Sequence, residues 1–310
     1  VNLPLRRVLS TRWASSVLPK GIVTRIPVAG TICLQLPNAL RVCMRTDGND
    51  SIAHLLYWGG IDSFEGETIR VFLRLLEHTH TFLDVGANTG IYSLIAAVDN
   101  PTRRVYAFEP VPRVFECLKR NVALNRVSNL YVDCSAVTDY DGEITLYVPT
   151  TILFPTSAST LRGWREGCEA IAVQAVTVDA FVATHAVPKV DLMKIDTEGT
   201  EPMVLKGATD TLEDEPMIIC EVIHGKTERS LHTLLDDRGY RYFRIAREGL
   251  VQQECITGAE IYKDLNYLFI TPSRMQEITE KAGCSVFADC FKPREMESMT
   301  VPRTCLQRQP

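Results

Sequence analysis

From Thr81 onward, short apolar and β-rich runs recur along the chain: Thr81–Val85 (TFLDV), Arg104–Phe108 (RVYAF), Leu130–Val132, Val190–Ile195 (VDLMKI), Met217–Val222 (MIICEV), Tyr240–Ile245 and Tyr267–Ile270. Runs that are apolar throughout, without strict alternation, mark strands buried on both faces. Stretches of helical periodicity separate most of them. Pro112–Asn125 has Pro in its first turn and an apolar stripe of Val114, Phe115, Leu118, Val122 and Leu124. Phe64–Glu77 gathers Ile69, Phe72, Leu73, Leu75 and Leu76 on one face, and Glu228–Arg238 closes on Gly239. Parallel strands need crossover connections, so the alternation predicts an α/β fold: a mostly parallel, seven-stranded, doubly wound sheet with helices on both faces.

Two regions depart from that pattern. Between the third and fourth strands, EITLYVP and AIAVQAV alternate with period two around a polar stretch, Ser157–Gly167, which predicts a β-hairpin insertion. Near the start, the runs GIVTRI, TICLQL and RVCM are broken by Pro27, Gly30 and Pro37 and predict small antiparallel strands. The chain is therefore divided into a lead-in over residues 1–46, a main domain over 47–272 and a tail over 273–310 whose pattern is too weak to place.

Composition narrows the picture. A chain of 310 residues, 45% hydrophobic and 23% charged, has enough apolar side chains for one large core or two small ones. Net charge −5 and pI about 5.8 count against a nucleic-acid partner, which normally selects a basic domain. No apolar run reaches the roughly 18 to 20 residues of a membrane span. Of the ten cysteines, Cys33, Cys43, Cys117, Cys134, Cys220 and Cys255 lie inside apolar strand or helix patterns, so reduced, buried thiols are expected. Cys and His do not fall at zinc-finger spacing, so no metal is assigned. A cytoplasmic location is the expectation. The stretch before Asp47 holds no acid but carries Arg6, Arg7, Arg12, Lys20, Arg25, Arg41 and Arg45, and it opens on the Ser- and Arg-containing VNLPLRRVLSTRWASS. Organelle targeting or contact with an anionic surface is the alternative there.

Three segments carry candidate chemistry. In the first, a buried strand runs through Asp84, Gly86, Ala87, Asn88 and Gly90 into the helix IYSLIAAV. Glycines at a strand's carboxyl end let backbone approach a ligand, and open α/β sheets bind ligands at that edge. The spacing is Gly-x-x-x-Gly, not the GxGxxG of nicotinamide sites. In the second, the next strand ends in Glu109-Pro110, and an acid there can accept both hydroxyl hydrogens of a ribose. In the third, VDLMKIDTEGTE places Asp196, Glu198 and Glu201 just past the fourth strand. Such acids can orient a hydroxyl, face a cationic cofactor or hold a metal; Thr200 and Glu201 suit helix capping instead, which leaves the site role to Asp196 and Glu198.

With these segments in hand, the chain resembles the FkbM family of S-adenosylmethionine (SAM) dependent methyltransferases. The matching text is FLDVGANTGIYSL, VYAFEPVPRVFECLKRNVALN, SAVTDYDGEITLYV and VDLMKIDTEGTEPMVLKGA, and the likeness runs from about Trp58 to about Pro272. KIDTEGTE is its most specific part. Thr177-Val178-Asp179 departs from the family's usual Thr-Leu-Asp. The resemblance implies a Rossmann-like class I methyltransferase fold. It also implies that the loop Asp84–Gly90 packs on the methionine part of SAM, that Glu109 holds the ribose, and that Ser135 and Ala136 lie near the adenine. Transfer to a hydroxyl of a sugar, glycolipid or secondary metabolite is implied as well.

A hydroxyl acceptor is a weak acid, so a base that takes its proton as the new bond forms is expected. Asp196 is the first candidate and His224, in VIHG after the fifth strand, the second, with Glu198 beside them. Trp164 and Arg162, in the insertion, are candidates for the acceptor pocket. His54, His78, His80, His185 and His232 belong to no recognisable constellation. The competing readings are a nicotinamide-dependent oxidoreductase and a non-catalytic SAM-binding protein.

Overall fold

The computed structural model describes residues 28–36, 40–48, 50–150, 158–258 and 265–282. Gly30–Gln35 (β1) and Arg41–Thr46 (β2) pair antiparallel, and helices Ser51–Gly59 (α1) and Gly66–Leu76 (α2) lead to Thr81–Val85 (β3). Ile91–Asp99 (α3), Arg104–Phe108 (β4), Pro112–Asn125 (α4) and Leu130–Asp133 (β5) follow. Ala136–Val137 (β6), Gly142–Pro149 (β7) and Cys168–Val176 (β8) then make a separate three-stranded sheet in which β7 and β8 are the expected insertion hairpin. Val178–Thr184 (α5), Leu192–Ile195 (β9), Glu201–Lys206 (α6), Met217–Glu221 (β10) and Glu228–Asp236 (α7) resume the alternation. Arg241–Ala246 (β11), Gly249–Gln253 (β12), Asn266–Ile270 (β13) and Pro272–Ala282 (α8) complete it.

The main sheet has the order β12-β11-β13-β10-β9-β3-β4-β5. Strands β5, β4, β3, β9 and β10 are mutually parallel, while β13 runs antiparallel to both β10 and β11. This is the mostly parallel Rossmann-like sheet expected, with eight strands rather than seven. The additional one, β12, is an edge strand folded back on β11. Only Leu250 in it is buried, so it lacks the continuous apolar run that reveals a central strand.

Alternation along the strands divides the core. Phe82 and Leu192 face one side with α1 to α4, whereas Leu83, Val85, Met193 and Ile195 face the other with Phe181 of α5, Leu205 of α6 and Leu231 of α7. Each such fully buried aliphatic or aromatic side chain contributes about 1.5 to 3 kcal/mol. At the amino edge of the sheet, Asp191 Oδ2 accepts the His80 and Thr81 N–H groups, and its Oδ1 pairs with Arg274 of α8 at 2.9 Å. Buried Ile278 adds an apolar contact from the same helix. Among the described residues no helix is long and apolar enough to cross a membrane.

The expectation of reduced thiols fails at Cys33 and Cys43. They stand directly opposite each other in the β1–β2 ladder and form a disulfide, and Cys255 is disulfide-bonded too. Facing ladder positions bring Cβ atoms close enough to bridge, a proximity that appears only once the register is known. Cys117, Cys134, Cys168 and Cys220 are free. The ribbon sits on α4: Cys43 exchanges two hydrogen bonds with the Asn125 side chain, and Asn121 accepts the Arg45 N–H while donating to the Thr89 carbonyl. The run GIVTRI lies outside the described residues, apart from which TICLQL and RVCM form the two strands expected.

Candidate active site

Three strand ends are stitched together at the carboxyl edge of the sheet. The N–H groups of Gly86 and Ala87 donate to the Phe108 carbonyl at 3.0 and 2.9 Å, tying the turn after β3 to the end of β4. Asn88, at φ 51°, donates its N–H to Glu109 Oε2 at 2.9 Å, and Val111 donates to Oε1 at 2.9 Å. On the other flank, the Asp196 N–H donates to the Val85 carbonyl at 3.0 Å. Gly86 has φ 83°, and a Cβ there would lie 1.9 Å from the Asp196 carbonyl oxygen, so both conformation and space demand glycine.

The cavity bounded by these turns is lined by Asp84, Gly86, Ala87, Asn88, Glu109, Pro110, Ser135, Ala136, Asp196 and Glu198, all singled out from sequence. Gly90 and His224 are not in that lining. Gly90 starts α3 at φ 95°, and its missing Cβ makes room for Leu118. His224 is half exposed, with Nδ1 3.3 Å from the Gly258 carbonyl and 3.5 Å from Glu228. Trp164 is not in it either. Its ring packs on Gly199 with the Lys226 ammonium 3.8 Å above it, while Arg162 is exposed. The insertion reaches the cavity through Ala158, Ser159 and Thr160, and Ser159 donates to the Glu198 carbonyl at 2.9 Å.

The carboxyls differ in how they are held. Asp84 accepts both the N–H and the hydroxyl of Ser93, which pins the first turn of α3, and burial pushes its pKa up to about 6. Burial likewise raises Glu109 to about 7 despite its two backbone donors, and Glu198 to about 8, with Asp196 adding to the latter. Each Glu109 oxygen accepts one N–H and keeps a second lone pair. Glu201 accepts the N–H groups of Thr197 and Gly199, whereas the Thr200 side chain makes no capping bond and donates to the Thr197 carbonyl. Glu201 therefore braces the turn Thr197–Thr200, where the sequence had suggested two capping side chains. That turn carries Glu198 at φ 55° and Gly199 at φ 100°.

Further cavity residues, Glu65, Tyr92, Lys194 and Glu221, take no site role from the sequence, although Tyr92, Lys194 and the strand-ending Glu221 lie in or beside the matching family text. Lys194 has a visible signal, a charge inside an otherwise apolar strand. Glu65 and Tyr92 have none, because the packing of α2 against α3 brings them in. Glu221 ends β10, and burial followed by the neighbouring Asp196 pushes it up to about 10. Among the described residues no group of three or more His, Cys, Asp or Glu side chains is arranged to hold a metal ion.

The chain is 30% identical over 206 residues to the 31-O-demethyl-FK506 methyltransferase FkbM of Streptomyces tacrolimicus, covering 57% of this chain and 75% of that protein. It is 28% identical over 174 residues to the hexuronic acid methyltransferase AglP of Haloferax volcanii, covering 56% of this chain and 68% of that protein. A solved SAM-dependent methyltransferase from Agrobacterium tumefaciens superposes with TM-score 0.43 at 11% identity, over 80% of this chain and 72% of that one. The family described as the methyltransferase FkbM domain matches residues 84–242, just over half the chain. The chain thus belongs to the FkbM methyltransferase domain family, which sets aside the nicotinamide-dependent reading.

Proposed function

We propose that the chain moves a methyl group from SAM to a hydroxyl oxygen of a sugar, glycolipid or secondary metabolite, with the nucleoside held between the turn Gly86–Asn88 and Glu109. The observation that carries this reading is the single cavity in which a glycine-walled turn, a ribose-accepting carboxylate and Asp196 stand together. The donor set suits the cofactor. Glu109 retains a lone pair on each oxygen for a ribose diol, and Gly86 leaves backbone where a side chain would intrude. Bound SAM supplies an electrophilic methyl carbon on a sulfonium. Asp196 then accepts the acceptor's proton, a role for which a carboxylate within hydrogen-bond reach is sufficient. The cavity's apolar contributors Ile52, Leu55 and Phe64, together with the acids Glu65, Glu198 and Glu221, suit an acceptor with an apolar face and hydroxyl donors. Relatives named for hexuronic acid and 31-O-demethyl-FK506 support that class.

The test is mass spectrometry of a cell extract incubated with purified protein and isotope-labelled SAM, backed by thermal shift with S-adenosylhomocysteine (SAH). A labelled methyl ether together with SAH stabilisation is the expected result. Stabilisation by SAH without methyl incorporation across glycans, glycolipids and small alcohols would establish a binding protein instead.

A further inference from the structure

Lys194 is 2% exposed, on a strand whose other members are apolar. Its Nζ donates to Asp196 Oδ2 at 2.8 Å and lies 4.8 Å from the centre of the Tyr92 ring. The Tyr92 hydroxyl in turn donates to Glu65 Oε2 at 2.5 Å, and Glu65 adopts φ 46°, a left-handed backbone that is strained for a non-glycine residue. A desolvated ammonium stabilises a fold poorly compared with an apolar side chain of similar volume. Held between an aromatic face and one carboxylate oxygen, it instead defines geometry: the salt bridge occupies one side of Asp196 and leaves the other to the cavity. Asp196 is 27% exposed and lines that cavity, so its second oxygen has access to a ligand.

We propose that Lys194 is the positioning residue for Asp196, engaging Oδ2 so that Oδ1 takes the proton of the acceptor hydroxyl. This rests on the reading of Asp196 as the base. In the transfer, an acceptor oxygen lone pair forms the O–CH3 bond and the methyl–sulfur bond breaks with its electron pair left on sulfur. The hydroxyl proton passes to Asp196 Oδ1, and Lys194 remains an ammonium throughout. Acids and neutral groups of several elements face the pair. Asp84 approaches from β3, Tyr92 from α3 and Glu65 from the turn before α2. Glu198 and Glu201 face it from the turn after β9, Cys220 and Glu221 from β10, and Glu109 from the end of β4. Lys194 therefore sets a positive charge among the carboxyl groups gathered around Asp196.

The experiment compares Lys194→Met, Lys194→Arg and Asp196→Asn by kcat against pH, by SAH titration calorimetry, and by NMR titration of 13C-labelled aspartate in the SAH complex. In Lys194→Met, kcat falls on the order of 100-fold while SAH affinity holds within about threefold, as expected when only a transition-state contribution is lost. The acid limb and the Asp196 titration both move up by about one to three pH units, the effect of an opposite charge in contact. Lys194→Arg restores the limb toward its original position. An unmoved limb and titration in Lys194→Met would overturn the assignment even if turnover dropped. Should Lys194→Met fail to bind SAH, Tyr92→Leu removes the ring beneath Nζ: a limb moved in the same direction supports the assignment and an unmoved one overturns it. Full turnover in Asp196→Asn refutes the base itself. Inactive Asp196→Asn beside an unmoved Lys194→Met limb refutes the role of Lys194 alone.

Discussion

Replacing Gly86 with alanine should be among the most damaging single-methyl additions in this protein. The residue sits at φ 83°, where an L side chain costs about 1 to 2 kcal/mol. The new Cβ would also meet the Asp196 carbonyl oxygen at 1.9 Å and its carbon at 2.9 Å, well inside ordinary contact. That carbonyl cannot retreat by itself: the Asp196 N–H is bonded to Val85, and β3 and β9 are locked in register through Val85 and Ile195. Forcing a methyl into such a place adds about 1 to 3 kcal/mol, for a total of about 2 to 5 kcal/mol. Gly90→Ala is the internal control. Its φ of 95° carries a similar backbone penalty, but its Cβ meets the terminal methyl of Leu118, which can rotate away, so about 1 to 2 kcal/mol is expected. Urea denaturation of both variants without ligand measures the difference, and SAH calorimetry reports whether the displaced Asp196 turn has opened the site. A Gly86→Ala protein as stable as Gly90→Ala, with SAH affinity intact, would refute the claim that these two turns are wedged together.

Glu109→Ala is expected to weaken SAH binding tenfold or more, from about 1.5 to 3 kcal/mol for a hydrogen bond to a charged group; unchanged calorimetric affinity would remove it from the nucleoside site. The ligand-free protein should lose stability as pH rises. Asp84, Glu109, Glu201 and Glu198 are raised to about 6, 7, 7 and 8 from 3.8 for Asp and 4.5 for Glu, so their protonated forms favour the fold. That contribution is complete below about pH 4 and is lost as pH climbs through 8, so a denaturation free energy that increases from pH 5 to pH 8 would contradict it. Arg274→Met strips the buried Asp191 of its cation and should cost about 3 to 5 kcal/mol; a change under 1 kcal/mol by chemical denaturation would show that α8 is held by its apolar contacts.

The central strands are legible in sequence because burial on both faces leaves unbroken apolar runs, and each of the three site segments ends such a run with a chemically distinct residue. Edge strand β12 has neither property. Asp84 and Asp196 both line the cavity, yet Asp84 is held by Ser93 of α3 while Asp196 is paired with Lys194 of its own strand, a difference that residue type and strand position do not encode. His224 follows a strand end by sequence but turns out beside Glu228, since the chain coils into α7 before reaching the cavity rim. The chain of contacts Glu65, Tyr92 and Lys194 joins three elements distant in sequence, and no local pattern encodes it.

The laced amino-terminal ribbon has a bearing on how the enzyme must be handled. Closing its sulfur bridge is a two-electron oxidation of the Cys33 and Cys43 thiols, and such bridges are rare where glutathione-like reductants are abundant. In a thiol-rich buffer β1 and β2 would be joined by their backbone ladder alone, while the amide clasps of Asn121 and Asn125 would still hold β2 to α4, and Asn121 also bonds to Thr89 beside the glycine turn. Reductant in the purification medium is thus a variable of the ribbon that covers α4.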